Sequence, residues 1–137
     1  MGTVEENKAV VRRYWFELWN EKRGEIIDEI AADPVVMHFP KGQAHQPPTL
    51  KKWFATALIA FPDVHMTLHE EIAEGDKVVS RWSYVATNTG EFLGRPATNQ
   101  RVTDLGIDIF RLKDGKIVEM WVAQDSLGLL HELGVLT

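Results

Sequence analysis

The hydrophobic period of this chain changes once, near Val64, and that change limits the folds open to it. Before it, apolar residues recur at helical spacing; after it, they alternate at the spacing of strands. Thr3-Val4-Glu5-Glu6 has the form of a capping box, with Thr3 as N-cap and Glu6 three residues on. Behind it Val11, Tyr14, Trp15, Leu18 and Trp19 make an apolar stripe, with Arg12, Arg13 and Glu17 between them. Residues 20–24 break the pattern, and Ile26, Ile27 and Ile30 mark a second short helix ended by Asp33-Pro34. Residues 35–39 read as a short strand and 40–48 as a loop. Thr49 is placed to cap a third helix carrying Leu50, Trp53, Phe54, Ala57, Leu58 and Phe61, which Pro62-Asp63 stops.

From Val64 onward, Val64, Met66 and Leu68 alternate with His65, Thr67 and His69. Glu74-Gly75-Asp76 turns into a strand over Lys77–Thr87, and residues 88–99 form a loop. Residues 100–112 and 117–125 are two further strands joined by a tight hairpin at Asp114-Gly115, and 126–133 make a last helical turn. Helices first and hairpin-linked strands after predict an antiparallel α+β layer architecture in one domain spanning residues 1–137. In the last hairpin one face carries Asp108, Phe110, Met120, Val122 and Gln124, the other Ile107, Ile109, Trp121 and Ala123. Both faces are apolar, and three helices can cover only one. The outer sheet face is therefore expected to meet a second copy of the chain, as a homodimer.

Composition removes several function classes. The net charge is -5, and no run of Lys or Arg could track a phosphate backbone, so nucleic acid is not an expected partner. There is no cysteine, which excludes disulfides and a cysteine zinc site. No apolar run is long enough to span a membrane and nothing at residues 1–8 resembles a signal peptide, so a cytoplasmic location is expected. The pair His65 and His69 suits zinc only on a helix; on a strand it reads as two solvent-facing side chains.

Two residues stand out chemically. Asp108 lies in Gly-Ile-Asp-Ile-Phe, the middle of an apolar strand, where an unpartnered carboxylate is costly. It is either a structural acid held by a backbone amide or by Arg81 or Arg111, or a pocket acid kept neutral by burial or paired to a base. His38, beside Phe39 and Pro40, is either a hydrogen-bonded core residue or a general acid or base. The five tryptophans, Trp15, Trp53 and Trp82 among them, are either core or the aromatic wall of a site for a flat organic ligand.

The segments Asn7-Lys8-Ala9-Val10-Val11-Arg12-Arg13, Trp19-Asn20, Ala60-Phe61-Pro62-Asp63, Ala73-Glu74-Gly75-Asp76, Arg81-Trp82, Thr89-Gly90-Glu91-Phe92-Leu93-Gly94, Gly106-Ile107-Asp108-Ile109-Phe110-Arg111 and Asp114-Gly115-Lys116-Ile117-Val118-Glu119, with residues 129–134, resemble the SnoaL-like polyketide cyclases of the nuclear transport factor 2-like superfamily. The resemblance implies a cone-shaped, curved antiparallel sheet wrapped by three N-terminal helices, with a pocket inside for a small apolar organic molecule and with no metal or cofactor. By a finer comparison with ketosteroid isomerases, which share that fold, Asp108 falls in the pocket, His38 at the place of the catalytic base and Trp15 at that of the oxyanion-binding tyrosine. Trp82, Tyr84, Phe110, Met120, Val122 and Gln124 would line the wall. Two departures stand against a direct transfer. Val122 follows Trp121 where the cyclases place an acid/base aspartate, and the indole of Trp15 is a donor but not an acid. The implied function is cofactor-free isomerisation, cyclisation or dehydration (isomerase or lyase chemistry) of a small apolar carbonyl compound, with His38 and Asp108 as the acid/base pair. A non-catalytic binding protein for a hydrophobic metabolite is the alternative. Epoxide hydrolysis is a further one, with Val122 or a neighbour in the place of its second aspartate.

Overall fold

The computed structural model of the chain describes residues 2–43 and 46–135. Helix α1 (Val4–Arg13) starts where the capping box predicts: the Thr3 hydroxyl accepts the Glu6 N–H at 3.1 Å. It continues as a π-helical segment, Tyr14–Asn20, with Glu21 N–H reaching back five residues to Phe16. Tyr14, Trp15, Leu18 and Trp19, the stripe read from the sequence, all lie on its buried side. A single 3₁₀ turn, Gly24–Ile26, leads into α2 (Ile27–Ile30), and Thr49 caps α3 (Leu50–Ala60) through Lys52 N–H at 3.1 Å. The last helix, α4 (Ser126–Glu132), is capped by Asp125.

Five strands form one curved, unclosed sheet in the order β1-β5-β4-β3-β2: β1 (Ala31–His38), β2 (His65–Glu74), β3 (Lys77–Thr87), β4 (Arg101–Lys113) and β5 (Lys116–Gln124). The antiparallel expectation holds for the four later strands. It is corrected for β1, which runs parallel to β5 because the chain crosses to the far edge before the meander begins. Strand β1 also starts at Ala31 rather than Val35. Pro34 does not end it, because an edge strand tolerates a missing N–H, and the pairing is irregular between Ala31 and Val36. Register shifts at Leu68/Glu70 and Arg111/Leu112 bend the sheet further.

Strict alternation in β3 and β4 puts Val78, Ser80, Trp82, Tyr84 and Ala86, and Val102, Asp104, Asp108, Phe110 and Leu112, on the buried concave face. The two faces of the last hairpin divide as the sequence predicts. The outer face stays uncovered by this chain: Ile72, Leu105 and Ile107 are exposed, and register aligns His38, Trp121, Ile109, Val79 and Ile72 in one row across all five strands. Among the described residues no helix is long and apolar enough to cross a membrane.

Gly106 holds this arrangement open. A Cβ there would overlap the Ala123 carbonyl oxygen and Trp82 Cζ2, so the missing side chain is what lets the indole lie across β4. Gly106→Ala is expected to cost roughly 1–3 kcal/mol, as overpacking against a fixed backbone does. Urea denaturation of the two proteins checks this.

Candidate functional site

The concave face, the π-helical segment, α3 and α4 surround a cavity whose empty space, together with the open solvent at its mouth, is about 720 Å³. Its wall is rich in aromatic rings. Trp82 stacks on Tyr84 (ring centroids 6.0 Å apart, 5° between planes) and meets Trp15 at 5.8 Å. Trp53 closes the side with Trp19 and Phe39 at 6.1 and 5.6 Å, and Phe92 from the loop after β3 packs on Phe61 at 5.2 Å.

Among the described residues one carboxyl enters this chamber. Asp108 is 1% exposed, and its Oδ1 has no hydrogen-bond partner among the described residues. The arginines proposed to hold it point away: Arg81 pairs with Glu70 at 3.1 Å and Arg111 with Glu119 at 2.9 Å. Burial without a counter-charge pushes the Asp108 carboxyl from an ordinary 3.8 up to about 7. The Trp82 indole and the Ala123 amide favour the charged form and offset part of that rise, although the Trp82 N–H completes no well-formed hydrogen bond. The Tyr14 hydroxyl is raised too, by burial first and then by the nearby Asp108 charge. Its ring is wedged edge-on between Trp15 and Phe110 at 4.8 and 5.0 Å.

The structure brings Asp108 together with Trp15, Trp53, Trp82, Tyr84 and Gln124 around the cavity. It does not bring His38 there. His38 stands opposite Trp121 on the outer face, stacks on that indole at 5.2 Å, and bonds Glu119 through Nε2 at 2.6 Å. The expected His38–Asp108 pair across the pocket is thus corrected: the two side chains leave opposite faces of the sheet. Phe110, Met120 and Val122 are fully buried but form the floor under the chamber rather than its wall, because the Tyr14 and Trp15 rings cover Phe110 and occupy that space. Trp15 is no oxyanion donor either, since its N–H is spent on the Ser80 hydroxyl at 3.0 Å. His65 and His69 are exposed, as read. No arginine and no second carboxyl line the cavity among the described residues, so the water-activating set of an epoxide hydrolase is not assembled there.

Three residues at or beside the cavity carry little signal in the sequence. Tyr14 lies in the helical stripe, where an aromatic residue reads as packing. Asp104 and Gln43 gave weaker signals: an acid two positions before Gly106 on a strand, and a glutamine in a loop. Asp104, 5% exposed and pushed by burial up to about 6, sits directly across from Tyr84 and accepts from Gln124 Nε2 at 2.6 Å.

The raised carboxyl has a thermodynamic consequence. Between 3.8 and about 7 the unfolded chain is ionised at this position while the folded one keeps its proton, so stability falls as pH rises through that window. Asp104 acts in the same direction, over the smaller range up to about 6. Asp108→Asn is expected to flatten the larger part of this slope, gaining on the wild type by about 4 kcal/mol between about pH 4 and about pH 8. Chemical denaturation across pH checks the sign and size.

Comparison with known proteins agrees with this architecture. The family model of the SnoaL-like polyketide cyclases matches residues 9–133. Among solved structures, the candidate hydroxylase AclR of Streptomyces galilaeus superposes with a TM-score of 0.85 at 30% identity, covering 98% of this chain and 100% of its own. The candidate polyketide cyclase IdmH of Streptomyces antibioticus gives 0.76 at 28% identity, covering 93% and 98%. A candidate polyketide cyclase of Acidithiobacillus ferrooxidans gives 0.82 at 25% identity over 100% of both chains. No curated protein matches in sequence. With the family model covering nearly the whole chain and the fold shared end to end, the chain belongs to the SnoaL-like polyketide cyclase family.

Proposed function

We propose that this chain catalyses cofactor-free proton transfer on a small apolar carbonyl compound, as an isomerase or cyclase, with Asp108 as its single acid/base group. The observation that carries the reading is the free carboxyl oxygen of Asp108, buried in an aromatic chamber and poised to titrate near 7. A proton-transfer group works best when its pKa lies near the operating pH. The ionised carboxylate takes a proton from the carbon next to the carbonyl, the C–H electron pair moves into an enolate, and the developing oxyanion is met by the Tyr14 hydroxyl and an indole N–H. Trp82 and Trp19 both line the cavity with a buried N–H lacking a partner among the described residues. Protonated Asp108 then returns the proton at another carbon, which isomerises the substrate. For cyclisation the enolate carbon attacks a second carbonyl, and the proton goes to the new alkoxide.

Family membership supports small-molecule cyclase chemistry at the coarser level. Val122 favours a second reading, a non-catalytic binding protein: it stands across from Asp108, inward and apolar, where the sequence comparison expects a proton-carrying aspartate. The uncovered outer face supports, as a further proposal, a homodimer built on the row of Ile72, Ile109 and Trp121.

Deuterium uptake from D₂O into a panel of apolar ketones and β-keto esters separates these readings. Wild-type exchange is expected to rise with pH to a plateau above about 7, the value of the Asp108 carboxyl. Asp108→Asn should lose roughly 10²-fold or more and Tyr14→Phe roughly 10-fold, while His38→Ala should exchange like the wild type. Binding without exchange in the wild type would sink the catalytic reading and leave the binding protein. For the dimer, Ile109→Lys is expected to halve the mass measured by light scattering; an unchanged mass counts against that interface.

A further inference from the structure

Gln43 lies in the turn after β1, where its N–H is held by the Pro40 carbonyl at 2.9 Å, and its side chain reaches the cavity wall. The side chain is anchored at one end only. Nε2 donates to Gln124 Oε1 at 2.8 Å, while Oε1 is buried with no partner among the described residues. Gln124 Nε2 donates in turn to Asp104 Oδ2 at 2.6 Å, and Asp104 Oδ1 accepts the Leu105 N–H at 2.8 Å. Asp104 itself does not line the cavity; it lies behind Gln124 and Tyr84.

The direction of this relay is forced. An ionised carboxylate can only accept hydrogen bonds, so Gln124 must offer Asp104 its NH₂ group. That turns the Gln124 carbonyl toward Gln43, and Gln43 must answer with its own NH₂. What remains for the cavity is the Gln43 carbonyl, a desolvated acceptor whose polarity is fixed by a charge two residues away in the chain of bonds. A buried acceptor left without a donor is costly, and a ligand donor that reaches it removes that cost. Burial first, and then the Asp104 charge, holds the Tyr84 hydroxyl well above its ordinary value.

We propose that Gln43 Oε1 is a second polar subsite of the cavity, which binds a hydroxyl group carried by an apolar carbonyl compound at a point remote from the carbonyl, and that Asp104 sets its polarity through Gln124. This rests on the reading of the cavity as a small-molecule site. Gln43 bonds Gln124, which stands across from Gly106, two positions along β4 from Asp108 and on the order of 7 Å along the strand, so the two polar ends suit a carbonyl and a hydroxyl set about one ring apart. Gln43 and Gln124 are positioning residues for the ligand and carry no proton.

The test is calorimetric titration with two ketones of nearly the same shape, para-hydroxymethylbenzophenone and para-ethylbenzophenone, which differ by a hydroxyl against a methyl. The readout is the ratio of their affinities in wild type, Gln43→Met and Asp104→Asn. Gln43→Met is expected to lower the preference for the hydroxyl by about tenfold. A near-ultraviolet circular dichroism spectrum like the wild type's shows that the variant is folded. Asp104→Asn, whose amide lets the relay run either way, should lower the preference by a smaller factor. A ratio unchanged in Gln43→Met overturns the subsite. A ratio changed there but not in Asp104→Asn overturns the role of Asp104 alone. Failure of either ketone to bind the wild type overturns the cavity reading and the subsite together.

Discussion

The alternation of β4 is the constraint on which the rest of this molecule depends. The strand lies at the centre of the sheet with neighbours on both sides, so its side chains have no freedom to change face. Its inward positions run Val102, Asp104, Gly106, Asp108 and Phe110. Gly106 yields its space to the Trp82 indole, and the indole separates one acid from the other. A one-residue slip would send both carboxyls to solvent and bring Leu105, Ile107 and Ile109 inside, leaving an apolar core with no chemistry. The site and the register are therefore specified by the same residues.

Parity explains what the sequence made legible. Parity in the last hairpin puts Asp108 and Gln124 on the inner face, where they stand, and Trp82 and Tyr84 stand there as the family resemblance implies. In β1 all of Val35, Val36, Met37 and Phe39 are apolar, so the run does not declare which face His38 takes. Pairing with β5 decides it: Met37 lies beside Met120 on the inner face, and His38 beside Trp121 on the outer. A strand parallel to its partner at the sheet's far edge leaves no local signal of that register. The apolar periodicity also could not distinguish wall from floor. Phe110, Met120 and Val122 face inward as expected, yet the aromatic residues of the first helix bury them a layer deeper.

The same layer explains Tyr14. Tyr14 and Trp15 share one apolar stripe with Val11, Leu18 and Trp19, so the spacing places both inward but does not say which of them presents a polar group to the cavity. The π-helical segment keeps both inward and sets the Tyr14 hydroxyl near Asp108. Hydrophobic pattern is blind to this, because it registers the ring of a tyrosine and not its hydroxyl. Capping and hairpin chemistry, by contrast, depend on single side chains at fixed offsets, and the Thr3 cap, the Thr49 cap and the Asp114-Gly115 hairpin stand where they were read.

The aromatic wall and the acid are one device rather than two. Tryptophan and tyrosine rings exclude water from Asp108, and that exclusion, not a neighbouring charge, moves its carboxyl toward neutrality. The same rings form the surface on which a flat ligand would lie. Enlarging the chamber by shortening Trp82 or Trp15 would therefore admit water together with substrate, return the carboxyl toward its ordinary range, and weaken it as a base even where binding survived. On the proposed function, substrate range and acid strength are coupled through the packing of the wall. On that same proposal a new substrate would be accommodated more easily at the Gln43 end, where polarity is set through hydrogen bonds and the dry environment of Asp108 can be left intact.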